Sequence, residues 1–132
     1  MLQKSSMYKT MEIFFQFPTK EHYLMDISRV TKVAHTSVKN NLKELLKVGI
    51  IKERVEKKGS RKFPLFKANV DSLVFQRRKK LYNFTAIIDS GIVEFIEQEL
   101  MPNTIVLFGS YERGEDVEES DIDIFVECKK KD

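Results

Sequence analysis

The chain has 132 residues, of which 42% are hydrophobic and 33% are charged. This composition predicts a packed core in one compact domain or two very small ones, and it excludes disordered, collagen-like and low-complexity chains. Uncharged runs fall well short of the roughly 18 apolar residues of a membrane span. The single Cys128 excludes an internal disulfide and a cysteine-based zinc site. We therefore expect a soluble, cytoplasmic protein.

The net charge of +3 conceals an uneven distribution along the chain. Residues 1–82 contain 19 Lys and Arg against 7 Asp and Glu, whereas residues 83–132 contain 4 against 13. The first part therefore carries +12 and the second −9. A basic segment of this kind favours a polyanionic partner, and an acidic segment favours either a solvated face or a cation site.

Two helices are predicted near the N-terminus. Residues 7–17 carry apolar side chains at helical spacing, Ser5 or Ser6 can cap the helix, and Pro18 ends it. Residues 24–32 show a similar pattern over a shorter stretch. Both patterns favour short amphipathic helices that pack on one core.

A third helix follows after a tight turn. His35, Thr36 or Ser37 can cap its start, its apolar stripe runs at helical intervals, and Gly49 ends it. The opposite face carries hydroxyl, amide and ammonium groups, on Ser37, Lys39, Asn40, Lys43 and Lys47. Groups of these kinds bind base edges and phosphates.

A basic hairpin is predicted next. Apolar residues on either side of Gly59-Ser60 are typical of two short strands, and Gly-Ser is a turn signal. Four cations flank this turn: Lys57, Lys58, Arg61 and Lys62. A hairpin of this charge suits contacts with a phosphate backbone.

About residues 5–70 resemble the winged helix-turn-helix transcription regulators, above all in the segment TSVKNNLKELLKVGII over 36–51. The resemblance implies that the third helix enters the major groove of double-stranded DNA and that the hairpin, or wing, lies on the phosphates. The DNA contacts that it implies are His35, Thr36, Ser37, Lys39, Asn40, Lys43, Lys57, Lys58, Arg61 and Lys62. The alternative is a compact fold with a solvated basic face, and His35 taken alone is more typical of a structural residue.

A long helical segment is predicted over residues 71–100, with a break at Ser90-Gly91. It carries much apolar surface for one small chain, and a helix after the wing commonly pairs with its symmetry mate in such regulators. We therefore expect a twofold homodimer, with packing onto the C-terminal unit as the alternative. The run of four cations over 77–80 is interpreted as exposed helix surface, with phosphate contact as the alternative.

The acidic part contains a motif of glycine, serine and paired aspartates. Thr104–Phe108 is predicted to be a buried strand, and it leads into Gly109-Ser110, where the backbone can approach phosphate oxygens closely. A second strand is predicted over Ile122–Val126, so that alternation places Asp121 and Asp123 on one face. Two carboxylates this close repel each other unless a cation lies between them, and they suit Mg²⁺ bridged to substrate phosphates.

Residues 104–127, TIVLFGSYERGEDVEESDIDIFVE, resemble the polymerase-β-like nucleotidyltransferases, particularly the minimal type. The pattern of that family is Gly-Ser, ten residues, and Asp-x-Asp, and every position matches. The resemblance implies a bound nucleoside triphosphate, with ATP expected, and a Mg²⁺ cofactor. The residues implied are Gly109, Ser110 and Arg113 for the nucleotide, and Asp121 and Asp123 for metal binding and catalysis.

The family uses a third carboxylate on a later strand, and residues 124–132 offer only Glu127 and Asp132. Glu127 shares the strand face of Asp123 but lies about 13 Å along it, at roughly 3.3 Å per residue. The third ligand is therefore missing from this sequence. Three interpretations stay open: the chain is a fragment of a longer transferase, a partner subunit completes the site, or the module retains at most nucleotide or metal binding without chemistry.

The expected fold class is α+β, with a winged helix-turn-helix over 1–70, a connecting or dimerising helix over 71–100, and a truncated nucleotidyltransferase-like unit over 101–132. The leading hypothesis is a DNA-binding transcription regulator whose module binds a nucleotide with Mg²⁺. The first alternative is a Mg²⁺-dependent transferase that moves a nucleoside monophosphate onto a hydroxyl of a protein, RNA or small molecule. The second is an antitoxin-like protein with a protein partner, since minimal transferases of this family often pair with a small helical toxin.

Overall fold

The computed structural model describes residues 3–129. Its helices are α1 Ser6–Gln16, α2 Leu24–Thr31, α3 His35–Lys47, α4 Leu73–Asp89, α5 Ile92–Leu100 and α6 Gly109–Arg113. Its strands are β1 Glu21–His22, β2 Ile51–Lys58, β3 Arg61–Ala68, β4 Thr104–Phe108 and β5 Asp123–Glu127. The first three strands form an antiparallel sheet in the order β1-β3-β2, and the last two pair antiparallel. The fold class is α+β, as predicted.

The chain divides into two compact units, Met1–Phe75 and Gln76–Asp132. The boundary lies inside α4, whose first turn belongs to the first unit. No helix within residues 3–129 is both long and apolar enough to cross a membrane. The connecting role expected of residues 71–100 stays a prediction.

The apolar core of the first unit is built by its helices and its sheet together. Phe14, Ile27 and Leu42, on α1, α2 and α3, are at most 1% exposed. Phe75 packs against Phe15, with ring centroids 5.7 Å apart. Burying one side chain of this size stabilises a fold by about 1.5–3 kcal/mol. The predicted apolar stripes therefore face one core.

The helix ends follow the predicted signals in part. Ser5 caps α1, because its hydroxyl accepts a hydrogen bond from the Tyr8 amide at 3.1 Å. The predicted cap of α3 is wrong, since Ala34 occupies the cap position without a side-chain hydrogen bond and His35 is already helical. The side chains of residues 35–37 therefore lie in the first turn of α3, past the position from which a side chain can cap.

Strands β2 and β3 form the predicted hairpin around Gly59-Ser60. Their register pairs Lys57 with Lys62 and Lys58 with Arg61, so that like charges face each other at the tip. The sequence pattern missed β1, which pairs with the far end of β3. A strand of two residues is too short to show an alternation of apolar and polar side chains.

The second unit has a different interior. Helices α4 and α5 and strand β4 lie where the sequence predicts them, and β5 begins at Asp123 rather than Ile122. Only four of the described residues 76–129 are fully buried: Lys79, Asn83, Gly114 and Asp116. The most buried side chains of this unit are thus polar.

The predicted burial of Thr104–Phe108 is wrong. Exposed and half-buried residues alternate along β4, and Val106 and Phe108 are 42% and 48% exposed. Phe125, opposite Val106 on β5, is exposed on the same face. A paired antiparallel strand with one uncovered face shows this alternation of period two, even when every residue in the run is apolar.

Candidate functional site

The Gly-Ser segment and the second aspartate of the motif lie side by side. Strand β4 ends at Phe108, which pairs with Asp123, the first residue of β5. Gly109 follows with a φ of +81°, and a Cβ atom on it would collide with the Asp123 carboxylate. Glycine is therefore favoured by the backbone conformation, and any larger residue would make the Asp123 carboxylate move. The antiparallel register brings together two parts of the motif that are 14 residues apart in the chain.

Ser110 lies in the first turn of α6 and is half-buried. Its carbonyl accepts a hydrogen bond from the Glu115 amide at 2.9 Å, so the chain turns back after the helix. Arg113 is exposed, and its Nε donates to Glu115 Oε2 at 3.2 Å. An anionic ligand at Arg113 would compete with Glu115 for the guanidinium.

The two aspartates of the motif differ in their surroundings. Asp121 is exposed and precedes β5, whereas Asp123 is half-buried and begins the strand. Because Asp121 lies outside β5, strand alternation does not place it on the face of Asp123. Within the described residues, neither carboxylate has a hydrogen-bond or ion-pair partner.

No third carboxylate joins these two within residues 3–129. Glu127 pairs with Thr104, at the opposite end of the sheet from Asp123. In the same range, no group of three or more His, Cys, Asp and Glu side chains is arranged to hold a metal ion. Mg²⁺ is, however, commonly bound by one or two carboxylates together with water and substrate phosphates. The donor set therefore fits a Mg²⁺ ion that binds together with a nucleotide.

The residues expected to contact DNA lie at two places in the first unit. Helix α3 carries His35, Thr36, Ser37, Lys39, Asn40 and Lys43, and the β2–β3 hairpin carries Lys57, Lys58, Arg61 and Lys62. All are exposed except Ser37, which is half-buried. Lys58 Nζ lies 5.6 Å from the centroid of the Tyr23 ring, so this cation also contacts an aromatic face. Their contact with DNA stays a prediction.

Comparison with protein families classifies the acidic part of the chain. Residues 89–132 match the nucleotidyltransferase domain. The match covers a third of the chain and contains the Gly-Ser segment and both aspartates of the motif. Searches among curated proteins and among solved structures give no significant match. We refer to residues 89–132 as the nucleotidyltransferase-like module.

Three residues next to this motif are missed by sequence reasoning. Lys79 and Asn83 of α4 and Asp116 after α6 form a buried cluster, with Lys79 Nζ 2.8 Å from Asp116 Oδ2. The interpretation of residues 77–80 as exposed surface is wrong for Lys79, although the other three are exposed. The sequence does give one indication of this cluster. Lys79 and Asn83 are four residues apart, and residues at this spacing lie on the same face of a helix.

Tyr111 of α6 belongs to the same cluster. Its hydroxyl donates to the Asn83 carbonyl at 3.2 Å, and its own carbonyl accepts a hydrogen bond from Asn83 Nδ2 at 2.8 Å. Burial, and secondarily the charge of Asp116, raises the pKa of the Tyr111 hydroxyl above its ordinary value of 10. The phenol therefore remains a hydrogen-bond donor at neutral pH.

Proposed function

We propose that the nucleotidyltransferase-like module binds a nucleoside triphosphate together with Mg²⁺, with ATP as the expected nucleotide. The observation that carries the proposal is the close approach of Gly109 to the Asp123 carboxylate. A phosphate group seated at the Gly-Ser segment would lie next to a metal held by the aspartates, which is the arrangement that a metal-bound triphosphate needs. The family match over residues 89–132 supports the same class of ligand.

Each residue of the motif has a separate task in this proposal. Gly109 leaves room for the Asp123 carboxylate beside the backbone, and Ser110 offers phosphate oxygens its hydroxyl and amide groups. Asp121 and Asp123 would hold a Mg²⁺ ion, which would neutralise phosphate charge and polarise the phosphoryl group. Arg113 exchanges its ion pair with Glu115 for a charge-assisted hydrogen bond to a phosphate.

Calorimetric titration of ATP and Mg²⁺ into the chain tests the proposal. Asp121→Asn combined with Asp123→Asn removes both charges and keeps the side-chain size, and we expect binding to vanish. Glu127→Gln is the matched control, because it removes one carboxylate charge at the other end of β5 and leaves binding unchanged. Absence of binding by the unaltered chain, or equal binding by the double variant, contradicts the proposal.

We also infer that the first unit binds double-stranded DNA and is the DNA-binding domain of a transcription regulator. The specific observation is the register of the hairpin, which places Lys57 opposite Lys62 and Lys58 opposite Arg61. Like charges directly opposite each other destabilise a hairpin, and a polyanion relieves the repulsion. Three helices followed by a hairpin, with polar groups exposed on α3, support a winged helix-turn-helix arrangement.

Duplex binding, followed by fluorescence anisotropy over a series of salt concentrations, tests this second proposal. We expect Lys57→Gln with Lys62→Gln to weaken binding and to reduce the slope of log K against log salt by about 2, one for each lost phosphate contact. Lys9→Gln is the matched control, because Lys9 is an exposed cation of α1, outside the hairpin. A chain that does not bind duplex DNA at low salt contradicts the proposal.

A further inference from the structure

A buried ion pair joins α4 to the loop that follows α6. The side chains of Lys79 and Asp116 are 3% and 9% exposed, and Lys79 Nζ lies 2.8 Å from Asp116 Oδ2. Asn83 Nδ2 donates to the second carboxylate oxygen of Asp116 at 2.7 Å. No buried side-chain nitrogen or oxygen within residues 3–129 lacks a hydrogen-bond partner, so every polar atom of this cluster has at least one.

Two further contacts fasten α6 to the same face of α4. Asn83 and Tyr111 exchange two hydrogen bonds, one from each side chain to the other residue's carbonyl. Gly114 has a φ of +71°, and a Cβ atom on it would collide with the carbonyl of Gln76. Residues 111–116 are therefore bonded to α4 through the buried Tyr111 and Asp116 contacts and pass close to it at Gly114, directly after Gly109-Ser110.

Stability alone does not account for this cluster. Desolvating two charges costs about as much as their attraction returns, and apolar replacements of a buried ion pair are often neutral or stabilising. A buried ion pair with further hydrogen bonds can instead fix a geometry, because a hydrogen bond weakens steeply as its angle departs from linear. The geometry fixed here is that of the segment that leads out of the Gly-Ser turn.

We propose that Lys79, Asn83 and Asp116 are positioning residues, which hold α6 so that Gly109-Ser110 stays beside Asp123 in the geometry that a Mg²⁺-bound triphosphate needs. The inference rests on the proposed nucleotide binding. Lys79 and Asn83 lie outside the region matched by the nucleotidyltransferase domain, which begins at residue 89. They act on the site through α6.

The test replaces the ion pair by apolar side chains in the full chain. Lys79→Met with Asp116→Leu keeps the cluster filled, so we expect the thermal unfolding midpoint to stay within a few degrees while Mg²⁺-ATP affinity falls tenfold or more. The matched control is Lys80→Met with Glu112→Leu, because this exposed pair also joins α4 to α6, at 3.7 Å. Exposed pairs contribute little, so the control is expected to bind like the unaltered chain.

A second measurement separates this inference from the proposed function. In ¹⁵N-labelled protein without nucleotide, the amide signals of Gly109 and Ser110 report the local geometry, and we expect them to shift or broaden in the Lys79/Asp116 variant and not in the control. If the unaltered chain binds no Mg²⁺-ATP, the proposed function is wrong and these amide signals alone decide whether the cluster positions the turn. Unchanged amide signals, or unchanged affinity in a chain that binds, overturn the inference.

Lys79→Gln with Asp116→Asn keeps the test decisive if the apolar pair does not fold. This variant removes both charges together, so that no buried charge is left without its partner, and it keeps polar side chains of similar size in the cluster. We expect it to fold and to bind Mg²⁺-ATP several-fold more weakly than the unaltered chain. Equal binding together with unchanged Gly109 and Ser110 amide signals overturns the inference.

Discussion

At Gly109, two physical requirements fall on one residue. Its φ of +81° costs a residue with a Cβ atom about 1–2 kcal/mol, and that atom would also displace the Asp123 carboxylate. We predict that Gly109→Ala lowers the free energy of unfolding and, in addition, abolishes Mg²⁺-ATP binding. Urea unfolding and calorimetric titration measure the two effects separately.

Gly91→Ala is the matched control for this prediction. Gly91 has almost the same φ, +80°, but no heavy atom lies within 4 Å of the place that its Cβ would occupy. We expect Gly91→Ala to lower the free energy of unfolding through the cost of its positive φ, and to bind Mg²⁺-ATP like the unaltered chain. If both variants lose binding to the same extent, the approach to Asp123 is not the cause.

Tyr111 makes the stability of the second unit depend on pH in the alkaline range. Because the pKa of its hydroxyl is raised in the folded chain, the unfolded chain releases this proton first. The free energy of unfolding is therefore unaffected by Tyr111 ionisation below pH 10, and it falls as the pH rises from there through the raised pKa.

We predict that Tyr111→Phe removes this alkaline loss of stability. At neutral pH the variant should be less stable by about 1 kcal/mol, since the hydrogen bond to the Asn83 carbonyl is lost. Urea unfolding at a series of pH values on both sides of 10 measures both effects. An alkaline decline of the same size in the two proteins would contradict the assignment to Tyr111.

Among individual residues, those of the motif could be predicted from their spacing in the sequence. The buried cluster could not, because it depends on which residues meet in three dimensions. Gly109, Ser110, Asp121 and Asp123 stand out because a turn glycine, a hydroxyl and two carboxylates recur at fixed intervals. Lys79 does not, because a run of cations gives no indication that one of them meets a carboxylate 37 residues further on. Such a pairing depends on how α6 folds back on α4.

Among the elements, α4 contributes to the cores of both units. Phe75, in its first turn, is 1% exposed and packs on Phe15 of α1. We predict that Phe75→Ala destabilises the first unit by about 3–5 kcal/mol, the usual cost of removing a buried aromatic ring. Thermal and urea unfolding, followed by circular dichroism, measure the loss.

Val74→Ala provides the comparison for Phe75→Ala. Val74 is the neighbouring residue on the same helix and is 41% exposed. We expect a change within about 0.5 kcal/mol, as for exposed positions without special contacts. Equal destabilisation by the two substitutions would show that the first turn of α4, rather than the ring of Phe75, stabilises the unit.

Apolar periodicity was sufficient to predict α1 to α5 and the basic hairpin, because apolar side chains recur at the helical or strand interval even in α5, which has no buried residue. It was not sufficient for β1 or for the exposure of β4. A strand of two residues has no period, and the exposure of an apolar strand depends on which elements cover its two faces. The five apolar or branched residues of β4 indicated burial, whereas only one face is covered.

For the whole molecule, the apolar face of α4 has a consequence for assembly. Leu81, Phe84 and Ile88 follow one another at intervals of three and four residues, and they are 63%, 58% and 43% exposed. This is the spacing of a helix that pairs with another helix. We predict a homodimer that forms through α4, and we expect Phe84→Glu to convert it to monomers in sedimentation velocity.

Ala86→Glu tests whether charge alone explains such an effect. Ala86 is an exposed residue of α4 that does not share the face of Leu81, Phe84 and Ile88, and the substitution introduces the same charge there. We expect this variant to remain dimeric. A monomeric unaltered chain, or equal dissociation of both variants, would contradict pairing through Phe84.

The polar interior of the second unit also determines how the molecule responds to heating. The cost of dehydrating charged groups falls as temperature rises, whereas hydrophobic stabilisation levels off. Burial of apolar surface is also the main source of the heat-capacity change of unfolding, and the fully buried apolar side chains of the described residues all lie in the first unit. We therefore expect residues 76–129 to have the flatter stability curve, and the Lys79–Asp116 pair to contribute a larger share of stability as the temperature rises.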